Sequence, residues 1–235
     1  DSHMDPDMDR DDLHPTQPSL ADMTAKAIEI LSKDKDGFFL MVEGSQVDWA
    51  GHANDAAYML GDFLAFDKAV GAALEFAKKD GDTLVLAFPD HNTGALSIGH
   101  EMSKYPPKYT GTTVEAVINP IRDAKMTIQE INNKIPSPAT AENVKETFVK
   151  YHGKYWADMP GDVAKKVAEI VNSKEERRDA YYPVAQHVSE HMTTYGWTTH
   201  GHTAEDVPLW SYGPDRPVGT FDNTELAKIA AKALG

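Results

Sequence analysis

The chain has no cysteine in its 235 residues. That excludes disulfide frameworks, thiolate metal sites and cysteine nucleophiles, and leaves any metal site to His, Asp and Glu. It has no apolar run of about 18 residues or more, so no membrane-spanning helix is expected. Positive charge is also scarce, with 23 Lys and Arg against 37 Asp and Glu, a formal charge of −14 and a pI near 5.0. Nucleic-acid binders present a basic face that releases counterions, so this balance argues against a nucleic-acid partner. The acidity serves solubility, or gathers carboxylates at a cation site, and composition does not separate the two. The opening Asp1-Ser2-His3-Met4-Asp5 resembles neither an initiator end nor a signal peptide, and reads as starting mid-protein. An apolar content of 41% over this length suffices for a sizeable buried core.

Residues 1–18 are rich in Asp, Pro and Met and show no apolar period. Ser19 and Asp22 then fit a capping box opening a helix over about residues 19–32. Residues 38–42, Phe-Phe-Leu-Met-Val, do not alternate, which suits a strand buried on both faces of a parallel sheet, ended by Glu43. From about residue 54 to 79 apolar residues recur at helical spacing, and Asp80-Gly81 stops the pattern. A second strand is expected over residues 83–88. Strand, helix, strand is a βαβ unit, so the expected fold class is α/β: a three-layer sandwich with a mostly parallel central sheet. Residues 101–195 differ. Tyr105-Pro106-Pro107 breaks the chain, and amphipathic stretches follow over about residues 141–151, 162–173 and 174–191. These make a helical insertion into a domain formed by residues 1–100 and 196–235, with packing as its expected role. Residues 207–212 resemble a returning strand, and residues 223–234 a terminal helix capped by Asn223.

Three clusters of acids and histidines stand near the predicted strands. Asp48 and His52, four apart, share one face of a helix and can grip one ion, although a solvated helix pair has the same spacing. Asp90-His91 follows the second strand, where ligands bind in open α/β sheets. A third cluster, His200-Gly201-His202-Thr203-Ala204-Glu205-Asp206, precedes the returning strand. Without cysteine, such a set suits zinc with open positions, and a site richer in carboxylate suits magnesium.

Val42-Glu43-Gly44-Ser45-Gln46-Val47-Asp48 through His52, Asp90-His91, and His202-Thr203-Ala204-Glu205-Asp206-Val207-Pro208 resemble, in letters, order and spacing, the three carboxy-terminal motifs of alkaline phosphatases. The resemblance covers residues 1–99 and 196–214 and weakens through the helical stretch. It implies that Asp48, His52 and His202 hold one zinc ion, that Asp90 and His91 help hold a second, and that Glu43 ligates magnesium. It departs at Trp49, where family members often have His or Lys, which leaves the third metal's identity open, and at Ala204, where Gly is usual. It also implies a phosphate monoester substrate, inorganic phosphate as product, a periplasmic or extracellular place and a homodimer.

The family's nucleophilic Ser and phosphate-clamping Arg belong to amino-terminal motifs that this sequence does not show, so an amino-terminal half is an expected partner. Ser45 and Ser97 sit in no nucleophile motif. His100, His152, His187, His191 and His200 match no motif and are assigned to the surface or to helix packing. Three alternatives stay open: a metal-binding fragment without turnover; a phosphodiesterase, sulfatase or phosphoglycerate mutase of the same superfamily; and an α/β domain whose acids and histidines are incidental.

Overall fold

The computed structural model describes residues 3–99 and 113–235. Tyr105-Pro106-Pro107 and His100, singled out in the sequence, lie outside the described residues. In chain order the elements are α1 (Asp7–Leu13), α2 (Leu20–Leu31), α3 (Gln46–Ala53), α4 (Ala56–Asp80), β1 (Val85–Ala87), β2 (Asn92–Thr93), β3 (Leu96–Ile98), α5 (Val114–Arg122), α6 (Ile128–Lys134), α7 (Ala141–His152), α8 (Gly161–Asn172), α9 (Tyr181–Met192), β4 (Tyr195–Trp197), β5 (His202–Thr203), β6 (Trp210–Tyr212) and α10 (Asn223–Leu234). No described helix is long and apolar enough to cross a membrane. The chain divides into two compact units. One contains residues 1–15, 45–62 and 93–203, and the other residues 16–44, 63–92 and 204–235.

The first unit holds the main hydrophobic core. Val144 and Phe148 of α7, Val163 and Val167 of α8, and Val184 and Val188 of α9 recur at four-residue spacing, which turns one stripe of each helix inward. Trp156, between α7 and α8, stacks on Phe148 with ring centroids 5.0 Å apart. The expected helical stretches therefore form, and they supply most of this core. Thr140 and Asn143 make a capping box that starts α7. The stretch read as one helix over residues 174–191 is instead a 3₁₀ turn, Arg177–Ala180, followed by α9.

The amino-terminal stretch, read as lacking any period, forms α1 after Pro6. It is held by buried polar contacts rather than an apolar stripe. The Asp9 carboxylate accepts from the Thr127 N–H at 2.8 Å and hydroxyl at 2.6 Å. Asp55 accepts from the Ile128 N–H at 2.9 Å. The two acids thus sit at the N-terminus of α6, where backbone donors lack helical partners and the dipole favours negative charge. Asp62 accepts from the Asp7 N–H at 3.1 Å. Burial pushes Asp9 up to about 6 and Asp62 up to about 7. His152, assigned to packing, is fully inside and bonds the Met126 carbonyl through Nε2 at 2.8 Å.

In the second unit α2 begins with the expected capping box, the Ser19 hydroxyl accepting from the Asp22 N–H at 3.1 Å. The carboxyl end of α4 stops at Asp80, where Gly81 takes a φ of +83°. The parallel sheet does not form among the described residues. Val85–Ala87 pairs antiparallel with Trp210–Tyr212, with Leu86 opposite Ser211. Residues 38–42 form no strand. Phe39 and Met41 are 63% and 70% exposed while Phe38 and Leu40 are partly covered, so the segment offers one sheltered side, and it has no ladder partner among the described residues. A ladder needs a paired edge as well as apolar side chains. The returning strand forms as β6. α10 forms as expected, but its cap is Asp222, whose carboxylate accepts from the Thr224 N–H at 3.0 Å, rather than Asn223.

Candidate metal centre

Asp48, His52 and His202 lie in the first unit. α3 buries Ala50 and Ala53 completely, and the buried side chain of Gln46 donates to the Met4 carbonyl and takes the Tyr58 hydroxyl. That fixes the roll of the helix. Asp48 and His52 come up together on its half-exposed side, with His52 Nε2 3.4 Å from Asp48 Oδ2. The helix ends at Asn54, which adopts the left-handed conformation (φ 55°, ψ 37°), and the Asp55 N–H closes back on the Ala50 carbonyl at 3.1 Å.

His202 arrives from 150 residues further along the chain. Its Nε2 lies 3.5 Å from Asp48 Oδ1, and its ring centroid is 5.1 Å from that of His52. One ligand atom from each of Asp48, His52 and His202 falls within 4.8 Å of the others. His52 Nδ1 is 2.6 Å from the His200 carbonyl. A carbonyl only accepts, so Nδ1 carries a proton and the ring turns Nε2 toward the carboxylate. This is the arrangement a metal-binding imidazole uses. Two imidazoles and a carboxylate, with partial exposure leaving room for another ligand, fit a catalytic zinc site with an open position. The negative charge on Asp48 also reaches Tyr182, whose hydroxyl is raised above its ordinary value first by burial and second by that charge.

Several residues that support this cluster were not read from the sequence. Thr93 belongs to none of the quoted motifs, yet its hydroxyl donates to Asp48 Oδ1 at 2.5 Å. Glycine makes that approach possible. A Cβ on Gly51 would stand 2.7 Å from the Thr93 carbonyl oxygen, and one on Gly94 would stand 2.8 Å from the Gly51 carbonyl oxygen. His200, assigned to the surface or to packing, supplies the carbonyl that orients His52, and Gln186 donates to the His52 carbonyl at 3.2 Å. The local signals available were the glycine within α3 and the Asn at its end.

The structure brings together Asp48, His52 and His202. The other candidates are found in the second unit. Asp90 and His91 stand side by side, with Oδ2 and Nε2 3.4 Å apart and the Asp90 side chain 85% exposed. Glu43 is exposed, in the segment after Met41 that forms neither helix nor strand.

The profile of the alkaline phosphatase family matches residues 1–235. Alkaline phosphatase 3 of Bacillus subtilis (strain 168) is 42% identical over 223 residues, which are 92% of this chain and 44% of that protein. The cold-active alkaline phosphatase of a psychrophilic Shewanella species superposes with a TM-score of 0.72 at 25% identity, over 92% of this chain and 50% of that one. An alkaline phosphatase variant from the Antarctic bacterium TAB5, solved with Mg bound, superposes with a TM-score of 0.50 at 26% identity, over 92% of this chain and 41% of that one. The chain thus spans about half or less of the length of these relatives. The family match over every residue, the Bacillus relative and a His-His-Asp cluster assembled from distant motifs agree, and the chain belongs to the alkaline phosphatase family.

Proposed function

We propose that this chain is the metal-holding part of an enzyme that hydrolyses phosphate monoesters with two zinc ions and one magnesium ion. The observation that carries the reading is the meeting of Asp48, His52 and His202, with Nε2 of His52 turned toward Asp48. In this reading Asp48, His52 and His202 hold the first zinc, Asp90 and His91 help hold the second, and Glu43 ligates magnesium. When bound, such ions supply positive charge to the attacking and leaving oxygens of an in-line displacement at phosphorus. The chain's own part is positional. The Thr93 hydroxyl fixes one Asp48 oxygen, and the His200 carbonyl fixes the tautomer and direction of His52.

The attacking Ser and the phosphate clamp are assigned to an amino-terminal part outside this sequence. The three-layer sandwich with a mostly parallel sheet is proposed for the assembled enzyme, with residues 101–195 as the helical insertion into a domain of residues 1–100 and 196–235. A periplasmic or extracellular place and a homodimer are proposed on family membership alone.

The test combines zinc titration of the chain with release of p-nitrophenol from p-nitrophenyl phosphate at alkaline pH, with zinc and magnesium, before and after EDTA. The reading expects zinc binding that H52A and D48A remove, and no turnover by this chain by itself. Zinc binding equal in wild type and H52A overturns the site. Chelator-sensitive turnover by the chain alone overturns the assignment of the nucleophile to another segment.

A further inference from the structure

We propose that Asn54, acting with the His200 side chain, is a positioning residue of the metal centre, clasping the loop that carries His202 to the end of the helix that carries Asp48 and His52. The inference rests on reading those three residues as metal ligands, and it assigns work to two residues that no metal motif includes.

Asn54 is buried, 2% exposed, and sits at the left-handed end of α3, two residues after His52. Its amide Nδ2 donates to the Gly51 carbonyl at 2.8 Å and to the Thr199 carbonyl at 3.2 Å. Its Oδ1 accepts from His200 Nδ1 at 2.6 Å. One side chain therefore holds its own helix and two consecutive residues of a loop about 145 positions away in sequence. A residue needed only to end a helix requires the left-handed backbone, which Gly supplies better. The amide adds bonds that lead off the helix to the loop.

What the clasp fixes is the His200 carbonyl. That oxygen takes the His52 Nδ1 proton at 2.6 Å, and its loop continues through Gly201 to His202. The Gly94 N–H donates to the Gly201 carbonyl at 2.9 Å on the far side of the same turn. Freed from Asn54, the loop keeps the Gly201 tether and the His52 bond and loses the two bonds that tie it to the end of α3. The His52 tautomer and the His52 to His202 spacing then vary together. Outer partners of this kind change metal affinity by roughly 10- to 100-fold when removed.

The experiment uses N54G, which keeps the left-handed backbone and removes only the amide, H200A, which removes the ring at an exposed position, and the double variant. Zinc affinity is measured by competition with a chromophoric chelator, thermal unfolding by circular dichroism, and the His52 tautomer by imidazole proton–nitrogen NMR on metal-free protein. Each single variant is expected to bind zinc about 10- to 100-fold more weakly while still unfolding cooperatively. His52 should lose its pure Nδ1–H pattern, and the double variant should be no weaker than the weaker single, because both removals break one clasp. Zinc affinity within about two-fold of wild type in both variants, with the tautomer unchanged, overturns the inference, as does additive loss in the double variant. If N54G does not fold, H200A alone decides. Wild-type zinc binding that H52A leaves intact instead overturns the metal reading itself, and the metal-free tautomer then still reports on the clasp.

Discussion

The contact between α3 and Thr93 is the tightest support of the centre, and G51A perturbs it directly. A Cβ added at Gly51 would lie 2.7 Å from the Thr93 carbonyl oxygen, 2.9 Å from its Cβ and 3.0 Å from its Cγ2, all well inside the 3.4 Å at which ordinary contact begins. The atoms opposing it are backbone and a β-branched side chain, so relief requires separating α3 from the Thr93 segment. Overpacking of this kind costs about 1–3 kcal/mol. For a chain of this size that corresponds to a fall of about 2–12 °C in melting temperature. The separation also lengthens the 2.5 Å bond from the Thr93 hydroxyl to Asp48, so zinc affinity falls with stability. T93V gives the second arm, removing the hydroxyl without adding volume at position 51, and is expected to weaken zinc binding with a smaller change in melting temperature. Thermal unfolding and chelator competition read both. A G51A chain that melts and binds zinc like wild type refutes the argument.

The buried acids make stability depend on pH. Asp9 and Asp62 are raised by burial to about 6 and about 7 from an ordinary value of 3.8, so between about pH 4 and 7 the folded chain holds protons that the unfolded chain releases. Their contribution is complete below the unfolded value and is lost as pH rises through 6 to 7. D62N, which retains an oxygen for the Asp7 N–H, should therefore lose less melting temperature between pH 4.5 and 8 than wild type does, and parallel profiles would sink the assignment. In the core, W156A removes a side chain that is 2% exposed and stacked on Phe148, and is expected to cost about 3–5 kcal/mol in urea unfolding. In α10, D222A removes the helix cap and is expected to lower the helix signal in circular dichroism slightly, with zinc affinity unchanged.

Legibility in the sequence followed distance along the chain. The α2 capping box joins residues three apart, and α4 repeats its apolar residues within a few turns, so both were readable. Residues 38–42 carry the composition of a strand, but a strand exists only when another backbone pairs with it, and no pattern within five residues specifies that partner. α1 was unreadable for the opposite reason. Its anchoring is a pair of bonds that Asp9 accepts from Thr127, 118 positions away. The cap of α10 moved by one residue because Asp222 and Asn223 are both competent caps and geometry chose between them.

By itself the sequence determined what chemistry was available and part of where it stands. Lack of cysteine confined any metal to nitrogen and oxygen ligands, and the four-residue spacing of Asp48 and His52 put both on one helical face, since helix geometry is set locally. Tertiary structure alone brought His202 to them, placed the Thr93 hydroxyl on Asp48, and set the His200 carbonyl against His52 to choose its tautomer. Those contacts span 45 to 154 positions, and each depends on loops closing over a packed helical core. The physical reason is that spacing along a chain fixes direction only within a turn or two, whereas a metal site needs ligand atoms converging within a few ångströms, and only packing supplies that.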